Sequence, residues 1–130
     1  MRHAPSRRRH IFTGWISGTL STGDGQGGFA IPWGNCYLTG FGFALDVGGS
    51  SSGSTDVMLN RVRDEVDAEL LTGTLDIEHD ASTVYNETET TFQNNQLQVG
   101  DFVRIDVDAI PTSPAGLAWW AEVHIVSKES

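Results

Sequence analysis

One cysteine, four prolines, two methionines and eight basic residues are all that this 130-residue chain has of those types. The lone Cys36 excludes an intrachain disulfide framework and a multi-cysteine zinc site. No apolar run is long enough to span a bilayer as a helix. The basic residues at the N-terminus are not followed by the apolar stretch of a secretory signal, so none is expected. His-x-x-x-His, Cys-x-x-Cys and Gly-x-Ser-x-Gly spacings are missing, and the glycine-rich Gly23–Gly28 stretch has no lysine or helix after it. Metal ligation, a serine nucleophile and a phosphate cradle therefore find no support, and no cofactor is expected.

The few cations are unevenly placed. Arg2, Arg7, Arg8 and Arg9 lie in the first nine positions, whereas all seventeen acidic residues follow Gly23. From Ile11 onward the formal charge is −13, against −9 for the whole chain. An acidic body lacks the basic face that phosphate contact needs, so a nucleic-acid-binding domain is not expected. Met1–His10, polar and with Pro5, reads as an extended basic arm without structure of its own. Three readings of it stay open: an incidental tail, an anchor on an acidic protein surface, or a nucleic-acid contact.

What is present is alternation. Val103, Ile105, Val107 and Ala109 fall on one side of a strand, with Arg104, Asp106 and Asp108 on the other. Past Pro111 and Pro114, Leu117, Trp119, Ala121, Val123 and Ile125 share a face opposite Trp120, Glu122 and His124. Tyr37–Val47 places Tyr37, Thr39, Phe41, Phe43, Leu45 and Val47 on one side, and Leu38, Gly40, Gly42 and Ala44 on the other. Small residues there suit close approach of a neighbouring layer or subunit. Further strands are expected at Ile11–Leu20, Phe29–Trp33, Thr55–Arg63 and Leu75–Glu78. Ser21–Gly28 and Gly48–Ser54 read as turn and loop. Asp64–Leu71 fits a strand better than a helical turn, and Ala81–Thr91 fits a loop or an edge strand. Short strands with frequent turn signals and fifteen glycines point to an all-β antiparallel sandwich or barrel over residues 11–130, and the sandwich is expected. Two arrangements remain for the last two strands: a hairpin in one sheet, or a jelly roll with Ile110–Gly116 as the corner between sheets. Alternation alone leaves both open.

Candidate functional residues are few. Asp101, Asp106 and Asp108 form the densest carboxylate group, which calcium would suit; a solvated strand face is the expected reading. Two carboxylates on one exposed strand do not make the cleft that glycoside hydrolysis needs. The run Asp64, Glu65, Asp67, Glu69 reads as a solvated surface. Cys36 reads as a buried, inert thiol. With Trp119 in the core, Trp120 points outward, and Phe102 shares the face of Arg104. These two are the expected subunit-interface residues.

The segments Gly18-Thr19-Leu20, Phe29-Ala30-Ile31-Pro32, Leu38-Thr39-Gly40, Val99-Gly100-Asp101, Ile105-Asp106-Val107-Asp108-Ala109-Ile110 and Ala115-Gly116-Leu117 carry a resemblance. Over Ile11–Val126 the chain resembles the small jelly-roll proteins that tailed bacteriophages display on their virions, such as capsid decoration (cement) proteins and head-fibre or tail-fibre tips. Val62–Leu71 departs from that pattern: it is acidic where a strand and an Asn-Gly-type turn belong. The resemblance implies the jelly-roll arrangement of the last two strands and a non-enzymatic virion structural protein on the capsid exterior, a homotrimer. The basic arm (Arg2, Arg7, Arg8, Arg9) would reach the major capsid protein or a neighbouring virion protein. The alternative is a carbohydrate-binding fibre tip or module that uses Trp120 or Trp33 as a stacking platform.

Overall fold

The computed structural model describes residues 7–81, 86–89 and 91–126. Ten strands form along the chain: β1 (Arg7–Thr19), β2 (Gly23–Ala30), β3 (Cys36–Val47), β4 (Ser54–Arg63), β5 (Val66–Glu69), β6 (Leu75–Glu78), β7 (Asn86–Glu89), β8 (Gln96–Leu97), β9 (Phe102–Ala109) and β10 (Ala115–Val126). One sheet runs β1-β10-β3-β7, with β8 also on β3; the other runs β2-β9-β4-β5, with β6 also on β4. All pairings are antiparallel. First pairs with last, second with the one before last, and third or fourth with what remains. This nested winding over two sheets is a jelly roll.

The last two strands settle between their two expected arrangements. β9 lies in the second sheet and β10 in the first, so the Pro111–Pro114 segment turns the corner between layers. A hydrogen bond from Leu20 N–H to Pro114 C=O pins that corner. The inward faces read from the sequence, Leu117, Trp119, Ala121, Val123 and Ile125 on β10 and Val103 and Ile105 on β9, interlock in the core with Phe29, Val57 and Leu59. Each large apolar side chain removed from water contributes about 1.5–3 kcal/mol.

Three local readings change. In β3 the pairing with β10 slips between Glu122 and Val123, leaving Thr39 as an extra residue. Alternation restarts there, so Cys36 and Leu38 are buried with Phe41, Phe43 and Leu45 while Tyr37 faces outward. A period-two reading across the bulge had put Tyr37 with the phenylalanines. Asp64 and Glu65 carry φ values of 51° and 64° and join β4 to β5 as a two-residue hairpin turn. Two positive φ values are the geometry that Asn-Gly serves elsewhere, here built from two acids. Ser21–Gly28, expected to be all turn, supplies most of β2.

The basic arm is shorter than expected. Arg7–His10 belong to β1 and pair with Val123–Val126 of β10. Backbone pairing asks nothing of side-chain polarity, so an Arg-Arg-Arg-His run carries no strand signal even where a strand forms. Aromatic packing ties the segment down. The His10 ring lies 4.5 Å from Phe12 and 5.0 Å from Trp33, Phe12 stacks on Phe29 at 4.2 Å, and Phe29 reaches Trp119 at 5.8 Å. These rings close the side of the sandwich where β1 and β2 form the sheet edges. The expected boundary after His10 thus falls inside a strand.

Candidate interaction surfaces

The two outer faces of the sandwich differ in chemistry, and the strand register says why. On the β9 side, Phe102, Arg104, Asp106 and Asp108 alternate outward, and their neighbours on β4, β5 and β6 include Asn60, Asp56, Asp67, Glu69, Asp76 and Glu78. This face is rich in carboxylates, with Arg104 as the cation at its centre. On the β10 side, Ala118, Trp120, Glu122 and His124 face outward between Trp15, Thr13, Ile11 and Arg9 of β1 and Ala44, Gly42, Gly40 and Tyr37 of β3. Here the surface is small and apolar, with Glu122 and Asp46 as acids. Trp15 is 58% exposed and Ile11 48%.

The Asp101–Asp106–Asp108 group is not the solvated face expected of it. Asp106 is 2% exposed and Asp101 1%. Asp106 Oδ1 accepts from Arg104 Nε at 2.8 Å and from the Gly25 N–H at 2.9 Å; Oδ2 accepts from Asn60 Nδ2 at 2.8 Å and Arg104 Nη2 at 3.0 Å. The Gly25 N–H gets there because β2 bulges between Gly23 and Gly27, with Gly25 at φ 70°. Asp101 accepts from Arg63 Nε at 2.8 Å, Arg63 Nη2 at 2.7 Å and the Gln98 N–H at 2.9 Å. Burial pushes the Asp101 carboxyl up, but the Arg63 hydrogen bonds, the Gln98 N–H and the nearby guanidinium charges outweigh it and hold it below the usual carboxylate range. Nitrogen donors thus already fill the lone pairs that a cation would need. Spacing along one strand could reveal only the Arg104–Asp106 pair, because Asn60 and Arg63 come from β4 and Gly25 from the β2 bulge.

Asp108 keeps no such partner set. Burial, then Asp106, Asp24 and Glu69, raise its carboxyl above the ordinary value. A second crowded group lies across β4 and β6, where Asp56 stands directly opposite Asp76. Burial raises the Asp56 carboxyl, a hydrogen bond from the Ser54 hydroxyl opposes this, and Asp76 and Glu78 raise it further. Glu78, His79 and Asp80 bring one ligand atom each within 4.8 Å of one another at an exposed turn. Sequence reasoning had not singled out either group: the first depends on the β4–β6 pairing, and the second is three consecutive residues gathered by their turn.

The predicted interface residues do not form one patch. Phe102, 40% exposed, is on the acidic outer face, and Trp120, half-buried, is on the apolar one. Each also lies over a glycine of its own chain. A Cβ at Gly28 would meet the Phe102 ring at 2.6 Å, and one at Gly40 the Trp120 ring at 3.1 Å. The small-residue side of β3 is therefore covered in part by Trp120 of the same molecule, an aromatic laid across a strand glycine. Trp33, half-buried, packs on His10 and Phe12. Of the arm residues, Arg8 and Arg9 are exposed on β1, Arg7 opens that strand, and Arg2 lies outside the described residues. Cys36 is fully buried, and burial followed by the Asp101 charge pushes its thiol up to about 11.

The fold and these surfaces place the chain among two-layered jelly rolls. No family model and no curated protein sequence matches it. In fold it is similar to a chain of the cyanophage Pam1 capsid asymmetric unit, with a TM-score of 0.59 and 14% identity over 98% of this chain and 91% of that one. It is also similar to a chain from the acidic stable capsid of Helicobacter pylori bacteriophage KHP30, with a TM-score of 0.52 and 9% identity over 95% of this chain and 100% of that one. At such identities the likeness is one of fold.

Proposed function

We propose that this chain is a non-enzymatic structural protein of a phage virion. Its finer role would be decoration: a homotrimer on the exterior of the head, held to the shell through its basic N-terminal segment. The likeness to two phage capsid chains over nearly the full length of all three carries the virion reading. The polarised surface supports an exterior seat. A carboxylate-rich face suits solvent and keeps particles apart, and an apolar face with arginines at one end suits a partner. A structural role also fits the use made of the chain's reactive groups, since Asp101 and Asp106 are bound into internal pairs and Cys36 is a buried thiol held neutral.

Cosedimentation of the purified chain with heads of its phage that lack it tests this reading. Full-length protein is expected to pellet with the heads, and a variant with Arg2, Arg7, Arg8 and Arg9 all changed to Gln is expected to stay in the supernatant with an unchanged circular dichroism spectrum. Substitution replaces deletion here because β1 starts at Arg7. Heads that take up none of the full-length chain would sink the decoration reading. Light scattering of the isolated protein tests the trimer, which requires a mass in multiples of three chains.

A further inference from the structure

β1 is thirteen residues long and forms one edge of its sheet, paired with β10 alone among the described residues. Sheet edges are commonly protected by charge, proline, bulges or shortness. Here protection is confined to the ends. Arg8 and Arg9 guard the start, and the register break between Ile16 and Thr19, with Gly18 at φ 77°, bends the finish. Between them, from Ile11 to Ile16, the edge has no charged residue, proline or bulge, and it displays Ile11 and Trp15.

We infer that this edge pairs with the β1 edge of a second copy, antiparallel about a two-fold axis through Thr13. The register follows from the sequence of the strand. Centred on Thr13, Ile11 of each copy faces Trp15 of the other, both on the outer side of the sheet where they are now exposed. An aliphatic side chain opposite an aromatic one is a favourable cross-strand pair. On the inner side, Phe12 falls opposite Gly14; Phe12 is stacked on Phe29 and Gly14 is covered by Trp119 of its own copy, so neither obstructs the pairing. Arg9 falls opposite Ser17 and Arg8 opposite Gly18, so the cations of the two copies sit at opposite ends of the ladder and do not meet. No register shifted by one residue does this, because a shift turns Ile11 and Trp15 to different sides. The carboxylate-rich outer face of the other sheet repels its own kind, whereas this edge does not. An isologous two-fold contact uses up both edges and closes, so it yields a discrete pair of sandwiches with one continuous sheet and no open fibre. The inference stands apart from the virion reading and from the trimer, since a particle can hold both kinds of contact.

Three proteins test it: the wild type, Thr13→Lys and Thr13→Cys. The wild type is expected to contain an even number of chains by light scattering. Thr13→Lys sets two ammonium groups face to face on the axis and should halve that mass with the circular dichroism spectrum unchanged. Thr13→Cys should cross-link into disulfide dimers on mild oxidation, because directly opposed antiparallel residues bring their Cα atoms within disulfide reach. The native Cys36 is too buried to compete, and Ser17→Cys, displaced from the axis, should not cross-link. A trimer whose mass Thr13→Lys leaves unchanged would overturn the edge pairing and leave the trimer standing. A monomeric wild type would overturn both, even if it captured an extended acidic peptide along β1. Failure of Thr13→Cys to cross-link in a protein of even chain number would assign the association to another surface.

Discussion

Arg63 and Asp101 provide the sharpest test of how this acidic sandwich holds together. Asp101 ends the turn that launches β9, and its own C=O accepts from the Ile31 N–H, so one residue ties three segments. Its side chain is 1% exposed and that of Arg63 is 30% exposed. Truncation to Arg63→Met leaves a buried carboxylate with the Gln98 N–H as its remaining donor. Removing one partner of a fully buried pair costs about 3–5 kcal/mol. With Arg63 partly in water, screening lowers this to about 2–3 kcal/mol. For a domain of this size that is a drop in Tm of roughly 10 °C. In the wild type the folded Asp101 carboxyl sits below its unfolded value, so its contribution is present above the unfolded pKa and is lost as pH falls through the folded one. In Arg63→Met burial is opposed by the Gln98 N–H and the Arg61 charge alone, so the folded pKa rises and the variant regains stability as it takes up a proton at acid pH. The Tm gap between the two proteins should be widest at pH 7 and narrow steadily towards pH 5 and 4. Calorimetry across that range checks it. A gap under about 2 °C at pH 7, or one that does not change with pH, would refute the assignment of Arg63–Asp101 as a stabilising buried pair.

Further outcomes follow from other contacts. Asp76→Asn should raise stability at pH 7 by about 0.2–1 kcal/mol, since it relieves a like-charge pair directly across strands. The folded Asp56 carboxyl is raised, so its penalty grows as pH climbs from the unfolded value through the folded one; the gain from Asp76→Asn should vanish near pH 4 in urea titrations. Gly14→Ala should cost about 1–3 kcal/mol, because the new Cβ would stand inside the Trp119 indole. Shifted tryptophan fluorescence together with a lower denaturation midpoint checks this. Thr55→Val should stabilise by about 1 kcal/mol, as the Thr55 hydroxyl is fully buried with no partner among the described residues. Chemical denaturation reads it, and a loss of stability would mean that the hydroxyl is hydrogen-bonded in solution.

Much of the architecture was legible in the chain alone. Alternation over Phe102–Val107 and Ala115–Val126 gave the correct inward faces, since one apolar side against one polar side leaves a strand no choice of which to bury; it failed at Ala109, where the register with β4 shifts and Ala109 pairs with Asp56. Pro111 and Pro114 marked the break between the last two strands, and the strand pairing made it a corner between the sheets. Local pattern failed where a residue's environment comes from elsewhere in the fold. The Thr39 bulge shows only in the pairing with β10, so Tyr37 was placed on the wrong side. Arg7–His10 have a strand's backbone and a tail's side chains.

The site residues divide in the same way. Composition by itself determined an acidic body with basic residues at its start, and a single cysteine that excludes an intrachain disulfide. Only the tertiary structure decided that Asp101 and Asp106 are buried and paired, that Phe102 and Trp120 look out from opposite faces, and that carboxylates gather on one of those faces while apolar surface gathers on the other. The physical reason is that a strand's own sequence dictates which side chains share a side, whereas their neighbours are set by strands far away in the chain: Asn60 and Gly25 reach Asp106 from 46 and 81 residues away.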